Sequence, residues 1–105
     1  MDTCPFRTTV SQTLDGKHLV SVHGELDLIT APALEQILWT LDDNRDVVAD
    51  FSAVTFMDSS GVAVLFRAYK SMNARGRSFS ARGVTAIPRR VMEITGLDQV
   101  LDVAS

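Results

Sequence analysis

The stretch Phe56-Met57-Asp58-Ser59-Ser60-Gly61-Val62 decides how this chain folds. A β-like apolar run ends there in an acid, two hydroxyls and a glycine, and a helical pattern begins directly afterwards. The stretch therefore predicts a strand that turns sharply into a helix. Because the first backbone N–H groups of a helix have no intrahelical acceptor and carry partial positive charge, the protein would tolerate an anion added at Ser59.

The segments on either side continue this alternation of strand and helix. Val47–Phe51 is nearly continuously apolar, as in a central strand buried on both faces. From Gly61 onward apolar residues recur at helical spacing until a stop at Asn73-Ala74-Arg75-Gly76. Upstream, Leu34, Ile37, Leu38 and Leu41 follow the same spacing between Thr30 and Asp43, with Thr30 as the expected N-cap.

The two ends of the chain complete the order of elements. Two alternating runs, centred on Thr8 and on Val20, are separated by Asp15-Gly16 and predict a hairpin. Residues 78–82 predict an edge-type strand, Pro88 opens a third helix that ends at Gly96, and residues 99–103 predict a short strand. The order β-β-α-β-α-β-α-(β) predicts one α/β domain over residues 1–105 with a short flexible N-terminus. Its sheet is expected to be mixed and four- or five-stranded, with an N-terminal hairpin and crossover helices.

Composition narrows the classes of function. The chain has 105 residues and a net charge of −3, which gives no general attraction for nucleic acid or for an anionic membrane. Cys4 is its only cysteine, so no internal disulfide and no thiolate metal cluster is expected. Because residues 1–5 lack a signal-peptide pattern and no apolar run approaches the ~20 residues of a membrane span, we expect a cytoplasmic protein.

The Ser59-Ser60 pair has two readings. One of the hydroxyls could simply cap the second helix, which would contribute about 1 kcal/mol. A capping box, however, needs Glu or Gln three residues later, and Val62 and Ala63 stand there. The alternative is a site of modification, in which Asp58 orients a serine hydroxyl and Gly61, without a Cβ, lets another molecule approach the turn.

Two enzymatic interpretations are disfavoured because the sequence does not supply the neighbouring groups that each would need. A serine hydrolase needs a base beside the nucleophile, whereas the only histidines, His18 and His23, fall on the predicted second strand and are expected at its surface. A phospho-aspartate receiver at Asp50 would need further acids near the end of the first strand, where residues 8–12 supply none. No glycine-rich nucleotide fingerprint occurs in the sequence.

A second acidic motif, Gly24-Glu25-Leu26-Asp27, lies between the second strand and the first helix. It is either an acidic turn before a helix or part of a binding edge. Because such junctions collect at the carboxyl ends of parallel strands, Glu25, Asp27 and Asp58 are expected to share one rim. Helical spacing places Trp39 partly off the core stripe of the first helix, and packing against the core is favoured over a cofactor contact.

Several motifs together resemble the STAS-domain anti-sigma-factor antagonists of bacteria. They span residues 6–103 in the order and spacing typical of that family and comprise Gly24-Glu25-Leu26-Asp27, Thr30-Ala31, Val47–Phe51, Phe56-Met57-Asp58-Ser59-Ser60-Gly61 and Ile94-Thr95-Gly96-Leu97. The resemblance implies a STAS-type fold and a switch without catalytic residues, cofactor or metal.

The resemblance also implies the partners. The unmodified antagonist would bind an anti-sigma factor that is also a serine kinase and so release the sigma factor. Phosphorylation of the first serine after the aspartate, here Ser59, would end binding, and a serine phosphatase would restore it. Glu25, Asp27, Asp58, Ser60 and Gly61 are then expected at the partner contact. A STAS scaffold that is never phosphorylated is the alternative.

Overall fold

A five-stranded mixed sheet forms the frame of the computed structural model, which describes residues 5–105. The strands are β1 (Arg7–Gln12), β2 (His18–Leu26), β3 (Val47–Met57), β4 (Phe79–Arg82) and β5 (Asp102–Val103), in the spatial order β1-β2-β3-β4-β5. The first two strands pair antiparallel and all later neighbours pair parallel, which confirms the N-terminal hairpin. Cys4 and the expected flexible N-terminus, residues 1–4, lie outside the described residues.

Three helices connect the parallel strands. They are α1 (Ala31–Thr40), α2 (Ser59–Ala74) and α3 (Ala86–Thr95), followed by a 3-10 turn at Leu97–Gln99. Since neighbours in sequence are neighbours in the sheet, every crossover advances in the same direction, and right-handed crossovers then place all three helices on one face.

The alternation of side chains along β2 shows which face of the sheet carries the core. Val20, Val22 and Leu26 are almost fully buried beneath the helices, whereas Ser21 and His23 are only partly buried on the other face. The largest fully buried side chains are Phe51, Leu26, Leu34, Met57, Leu65 and Met92. One hydrophobic core thus lies between the helices and one side of the sheet.

Several boundaries differ from those expected from the sequence. β3 continues beyond Phe51 to Met57, and α2 begins two residues before Gly61. Residues 79–82 are not an edge strand, because β4 pairs with β3 on one side and with β5 on the other. Thr30 is the N-cap residue of α1, as expected, but its hydroxyl makes no capping bond and donates to the carbonyl of Glu25 in the preceding loop.

Two side chains lie where the sequence pattern did not place them. Trp39 was expected to pack against the core although helical spacing placed it partly off the core stripe. It is 57% exposed, since the helix turns it away from the buried Leu34 and Leu38. His18 was expected at the surface but is buried, and its Nε2 lies 3.0 and 2.9 Å from the two carboxylate oxygens of Asp43. Asp43, in the α1–β3 loop, compensates the cost of removing the His18 side chain from water.

Candidate functional site

The turn between β3 and α2 places Ser59 at the first helical position. Asp58 has extended backbone angles, φ −117° and ψ −171°, and its side chain accepts a hydrogen bond from the backbone N–H of Ser60 at 2.8 Å. Its carbonyl accepts from the N–H groups of Gly61 and Val62 at 3.1 and 3.3 Å. Asp58 is therefore the N-cap of α2. The interpretation in which a serine hydroxyl caps α2 is therefore wrong. Oδ1 of Asp58 bonds to a backbone amide, and among residues 5–105 no serine hydroxyl bonds to this carboxylate.

The two serines face different grooves. Ser59 is exposed and lines a groove of about 290 Å³ between α2 and the segment after α3, together with Phe66, Gly96 and Val100. Ser60 is half-buried and lines a second groove, of about 250 Å³, between the N-terminal halves of α1 and α2. This follows from the helix, because adjacent residues on it point about 100° apart. Of the two hydroxyls, that of Ser59 is therefore the more accessible.

Gly61 has a different role from the one expected. It is buried, and a Cβ built on it would lie 2.8 Å from Cγ of Met57 and 2.9 Å from Cδ2 and Cγ of Leu26. These atoms belong to the hydrophobic core, so the missing side chain lets α2 pack closely on the ends of β2 and β3. The expectation that Gly61 opens the turn to an incoming molecule is wrong, because its open side faces inward.

Asp27 organises the loop between β2 and α1. Its Oδ1 accepts hydrogen bonds from the backbone N–H groups of Ile29 and Thr30 at 3.0 and 3.1 Å. These bonds hold the pKa of the Asp27 carboxyl below its usual range, and the bond from Thr30 has the largest effect. The Thr30 hydroxyl in turn donates to the carbonyl of Glu25 at 2.7 Å. Asp27 therefore stays ionised and shapes the loop, while the side chain of Glu25 is exposed at its start.

The three acids lie at neighbouring strand ends, as predicted. The backbone N–H of Asp58 donates to the carbonyl of Leu26 at 3.2 Å, which joins the ends of β2 and β3. Glu25 and Asp27 flank Leu26 in sequence, so both adjoin the turn that carries Ser59. Near this end the pairing of β2 with β3 is irregular, and Gly24 there has φ +98°, which favours glycine. The structure thus brings the predicted acids and the serine to one edge of the sheet.

Exposed apolar side chains occur near this edge, and no motif in the sequence predicted them. Leu28 and Ile29, in the β2–α1 loop, are 71% and 82% exposed. The others are Phe56, Phe66, Ile87 and Val100. We call these six residues the apolar rim. Leu28 and Ile29 could have been recognised in the sequence, because they are two large apolar residues in a loop, outside any strand or helix. Leu28 lines the groove of Ser60, and Phe66 and Val100 line the groove of Ser59. Exposed apolar side chains grouped in this way are typical of a protein-binding site.

In the described part of the chain, no hydrogen bond joins Ser59 to a histidine, and His23 lies on the face of the sheet away from the helices. His18 lies at the start of β2, and the Ser59 turn adjoins its end, eight residues or roughly 26 Å away along the strand. Among residues 5–105, no group of three or more His, Cys, Asp or Glu side chains could hold a metal ion. No helix within that range is both long and apolar enough to cross a membrane.

Known proteins that resemble the chain agree with the resemblance to STAS domains. The family model described as "Mlab, STAS domain" matches residues 10–102. The anti-sigma-B factor antagonist of Staphylococcus aureus (strain NCTC 8325 / PS 47) is 34% identical over 93 residues, which are 87% of this chain and 86% of that protein.

Solved structures resemble the chain over most of its length. An anti-sigma factor antagonist from Mycobacterium paratuberculosis has a TM-score of 0.86 and 34% identity, with 95% of this chain and 86% of that chain covered. SpoIIAA in its unphosphorylated form has a TM-score of 0.78 at 19% identity, with 94% and 89% covered, a likeness of fold alone.

Proposed function

The chain belongs to the STAS domain family, and we propose that it is an anti-sigma factor antagonist that phosphorylation of Ser59 switches off. In the unphosphorylated form it binds an anti-sigma factor and thereby releases the sigma factor. That anti-sigma factor is also the serine kinase that modifies Ser59, and a serine phosphatase reverses the modification. The protein itself is acted upon and performs no catalysis in this scheme.

The observation that carries the proposal is the position of Ser59. Its side chain is exposed at the first position of α2, beside a groove that contains Phe66 and Val100 of the apolar rim. Asp58 already caps the helix, so the hydroxyl of Ser59 is not needed for the fold. A kinase can therefore modify this hydroxyl without removing a structural bond.

Electrostatics explain why a phosphate would end binding. The phosphate adds a charge of roughly −1.5 to −2 to an edge that already carries Glu25, Asp27 and Asp58. Against a partner packed on the apolar rim, this charge would have to lose its water and would meet like charges. A loss of about 3 to 4 kcal/mol of binding free energy weakens an interaction several hundredfold, which is enough to dissociate the complex.

The experiment uses the partner from the native cell. Protein bound to the immobilised wild-type chain is recovered, purified and incubated with the chain and ATP, and the intact mass of the chain is measured. We expect one phosphate on the wild type and on Ser60→Ala, and none on Ser59→Ala. We also expect Ser59→Asp to lose the partner that the wild type retains.

A bound partner that adds no phosphate would contradict the switch and favour the alternative, a STAS scaffold that is never phosphorylated. Phosphate on Ser59→Ala but not on Ser60→Ala would move the modification to the other groove.

A further inference from the structure

The strand β1 forms one lateral edge of the sheet, since among residues 5–105 it pairs only with β2. The opposite edge is β5, which has 2 residues, whereas β1 has 6. Proteins usually protect an open edge with proline, lysine, a bulge or a very short strand. β1 contains neither proline nor lysine, and its register with β2 is continuous. A further strand can therefore extend the sheet on this side.

The hairpin shows which backbone groups of β1 point outward. The N–H of Thr13 donates to the carbonyl of Lys17 at 2.9 Å, directly beyond the last paired residues of the two strands. In an antiparallel pair, residues that bond to the neighbouring strand alternate with residues whose N–H and C=O point away from it. Odd-numbered residues of β1 therefore bond to β2. The even-numbered residues, Thr8, Val10 and Gln12, present their backbone groups to the open edge.

The side chains of β1 are also largely uncovered. All of its residues are exposed except Thr8, which is half-buried. Val10 lies opposite Val20 on the face of the sheet that carries the helices, yet Val10 is 44% exposed while Val20 is fully buried. The helices thus cover β2 and leave Val10 open. A strand added beside β1 would bring side chains against it.

We propose that β1 pairs with the β1 strand of a second copy of this chain, antiparallel and with Val10 opposite its own counterpart. Such pairing has a two-fold axis perpendicular to the sheet, so even-numbered residues lie opposite even-numbered ones. With Val10 at the axis, Thr8 lies opposite Gln12 of the second copy, and the outward backbone groups form about six hydrogen bonds. A register centred on Thr9 would form about four within β1. The register on Val10 therefore satisfies more of the open edge.

The charges fit the same register. Arg7, the one charged residue of β1, is roughly 20 Å along the strands from Arg7 of the second copy. It lies opposite Thr13 and diagonal to Asp15 of that copy, within reach of a long side chain. The side chain of Asp15 is 66% exposed, although Lys17 lies 3.8 Å from it. The pairing thus brings each Arg7 towards an acid and places no like charges opposite each other.

The contact is small and separate from the Ser59 site. Two strands of this length bury less than the ~1,200 Å² at the lower limit of standard interfaces, so we expect a weak dimer. None of the three acids at the Ser59 edge and no residue of the apolar rim lies on β1. Dimerisation is therefore expected with or without a phosphate on Ser59.

Opposite charges introduced at position 10 test the proposal, because a residue on the two-fold axis meets itself. Val10→Lys and Val10→Glu should each raise the dissociation constant of the dimer at least tenfold, since like charges would lie opposite each other. An equimolar mixture of the two should dimerise within about threefold of the wild type. Ile94→Lys, which adds the same charge at an exposed apolar residue of α3, should dimerise as the wild type does. Sedimentation equilibrium up to millimolar concentration measures all of these.

Cysteine cross-linking locates the axis independently. In a Cys4→Ser background, Val10→Cys should form a disulfide-linked dimer on mild oxidation, because opposed Cα atoms of an antiparallel pair lie within disulfide range. Thr9→Cys should cross-link at least tenfold more slowly, since Thr9 would lie opposite Ser11 of the second copy. Ile94→Cys, at a residue that is 72% exposed, measures the rate of random collisions. Non-reducing electrophoresis over time gives the three rates.

Four results would overturn the proposal. A wild type that stays monomeric at every concentration would show that the edge does not pair with itself. Equal losses in Val10→Lys and Ile94→Lys would show a general effect of charge. A mixture of Val10→Lys and Val10→Glu that stays monomeric would show that Val10 does not meet its counterpart. Cross-linking of Val10→Cys no faster than that of Thr9→Cys or Ile94→Cys would exclude this register.

Discussion

The carboxylate of Asp58 accepts a hydrogen bond from the backbone N–H of Ser60 at 2.8 Å, and this bond begins α2. The acid, rather than either serine, therefore satisfies the helix terminus. It follows that the hydroxyl of Ser59 can be changed with little effect on folding, whereas the carboxylate of Asp58 cannot.

The first prediction concerns this cap. Asp58→Ala should lower the free energy of unfolding by about 1 kcal/mol, because it removes the acceptor for the N–H of Ser60. Asp58→Asn should retain most of that stability, and Ser59→Ala should stay within about 0.5 kcal/mol of the wild type. Urea unfolding followed by circular dichroism measures all three. Equal losses in Ser59→Ala and Asp58→Ala would contradict the assignment of the cap.

The second prediction concerns the packing of α2 on the sheet. Gly61→Ala should destabilise the protein by about 1 to 3 kcal/mol, because the added Cβ would lie 2.8 Å from Cγ of Met57. Met57→Ala removes that atom, so the loss caused by Gly61→Ala should be smaller in the Met57→Ala background. A double-mutant cycle by urea unfolding gives the coupling, which we expect to exceed about 0.5 kcal/mol. Additive effects would mean that Met57 does not restrict this position.

The third prediction is that phosphorylation acts locally. A phosphate on Ser59 would lie at the N-terminus of α2, where backbone N–H groups and the helix dipole favour an anion. Amide chemical shifts should therefore change at the β3–α2 turn and around the adjacent grooves, and remain constant in the β1–β2 turn at the other end of the sheet. Shift changes throughout the sheet would show that the switch works by a change of fold instead.

The fourth prediction assigns partner binding to the apolar rim. Phe66→Ala should weaken binding of the anti-sigma factor at least tenfold, because the exposed ring beside Ser59 would be buried in the complex. Leu14→Ala is the matched control, since Leu14 is a fully exposed apolar residue in the β1–β2 turn. Calorimetry with the purified partner measures both. Similar losses in the two variants would place the contact elsewhere.

The fifth prediction concerns acid stability. Hydrogen bonds hold the pKa of Asp43 far below its usual range, and the largest effect comes from the bond donated by the backbone N–H of Arg45. A depressed pKa in the folded state contributes stability above the unfolded value of about 3.9, and this contribution is lost as the pH falls through the folded pKa. Asp43→Asn should therefore lose stability at neutral pH and show a flatter decline below about pH 4 than the wild type. Urea unfolding between pH 7 and pH 2.5 tests this, and parallel curves for the two proteins would contradict it.

The elements of this fold were largely predictable because their signals are local. The alternation around Val20, the helical spacing of Leu34 and Leu38, and the glycine stop at Gly96 each depend on residues close in sequence. The rim of acids was predictable for a topological reason, since the carboxyl ends of parallel strands meet at one edge. The misassigned positions depend on distant partners. His18 is buried because Asp43 lies beside it, and β4 is internal because β5 pairs with it.

The sequence by itself determined the order of strands and helices, the serine at a helix start and the resemblance to STAS domains, because spacing and turn residues carry that information along the chain. Only the tertiary structure decided the roles of neighbouring residues at the turn. Asp58 became the cap, Gly61 a packing position against Leu26 and Met57, and Ser59 the exposed hydroxyl. The reason is physical: whether a side chain points to the core, to a backbone amide or to solvent depends on elements that join it only when the sheet forms.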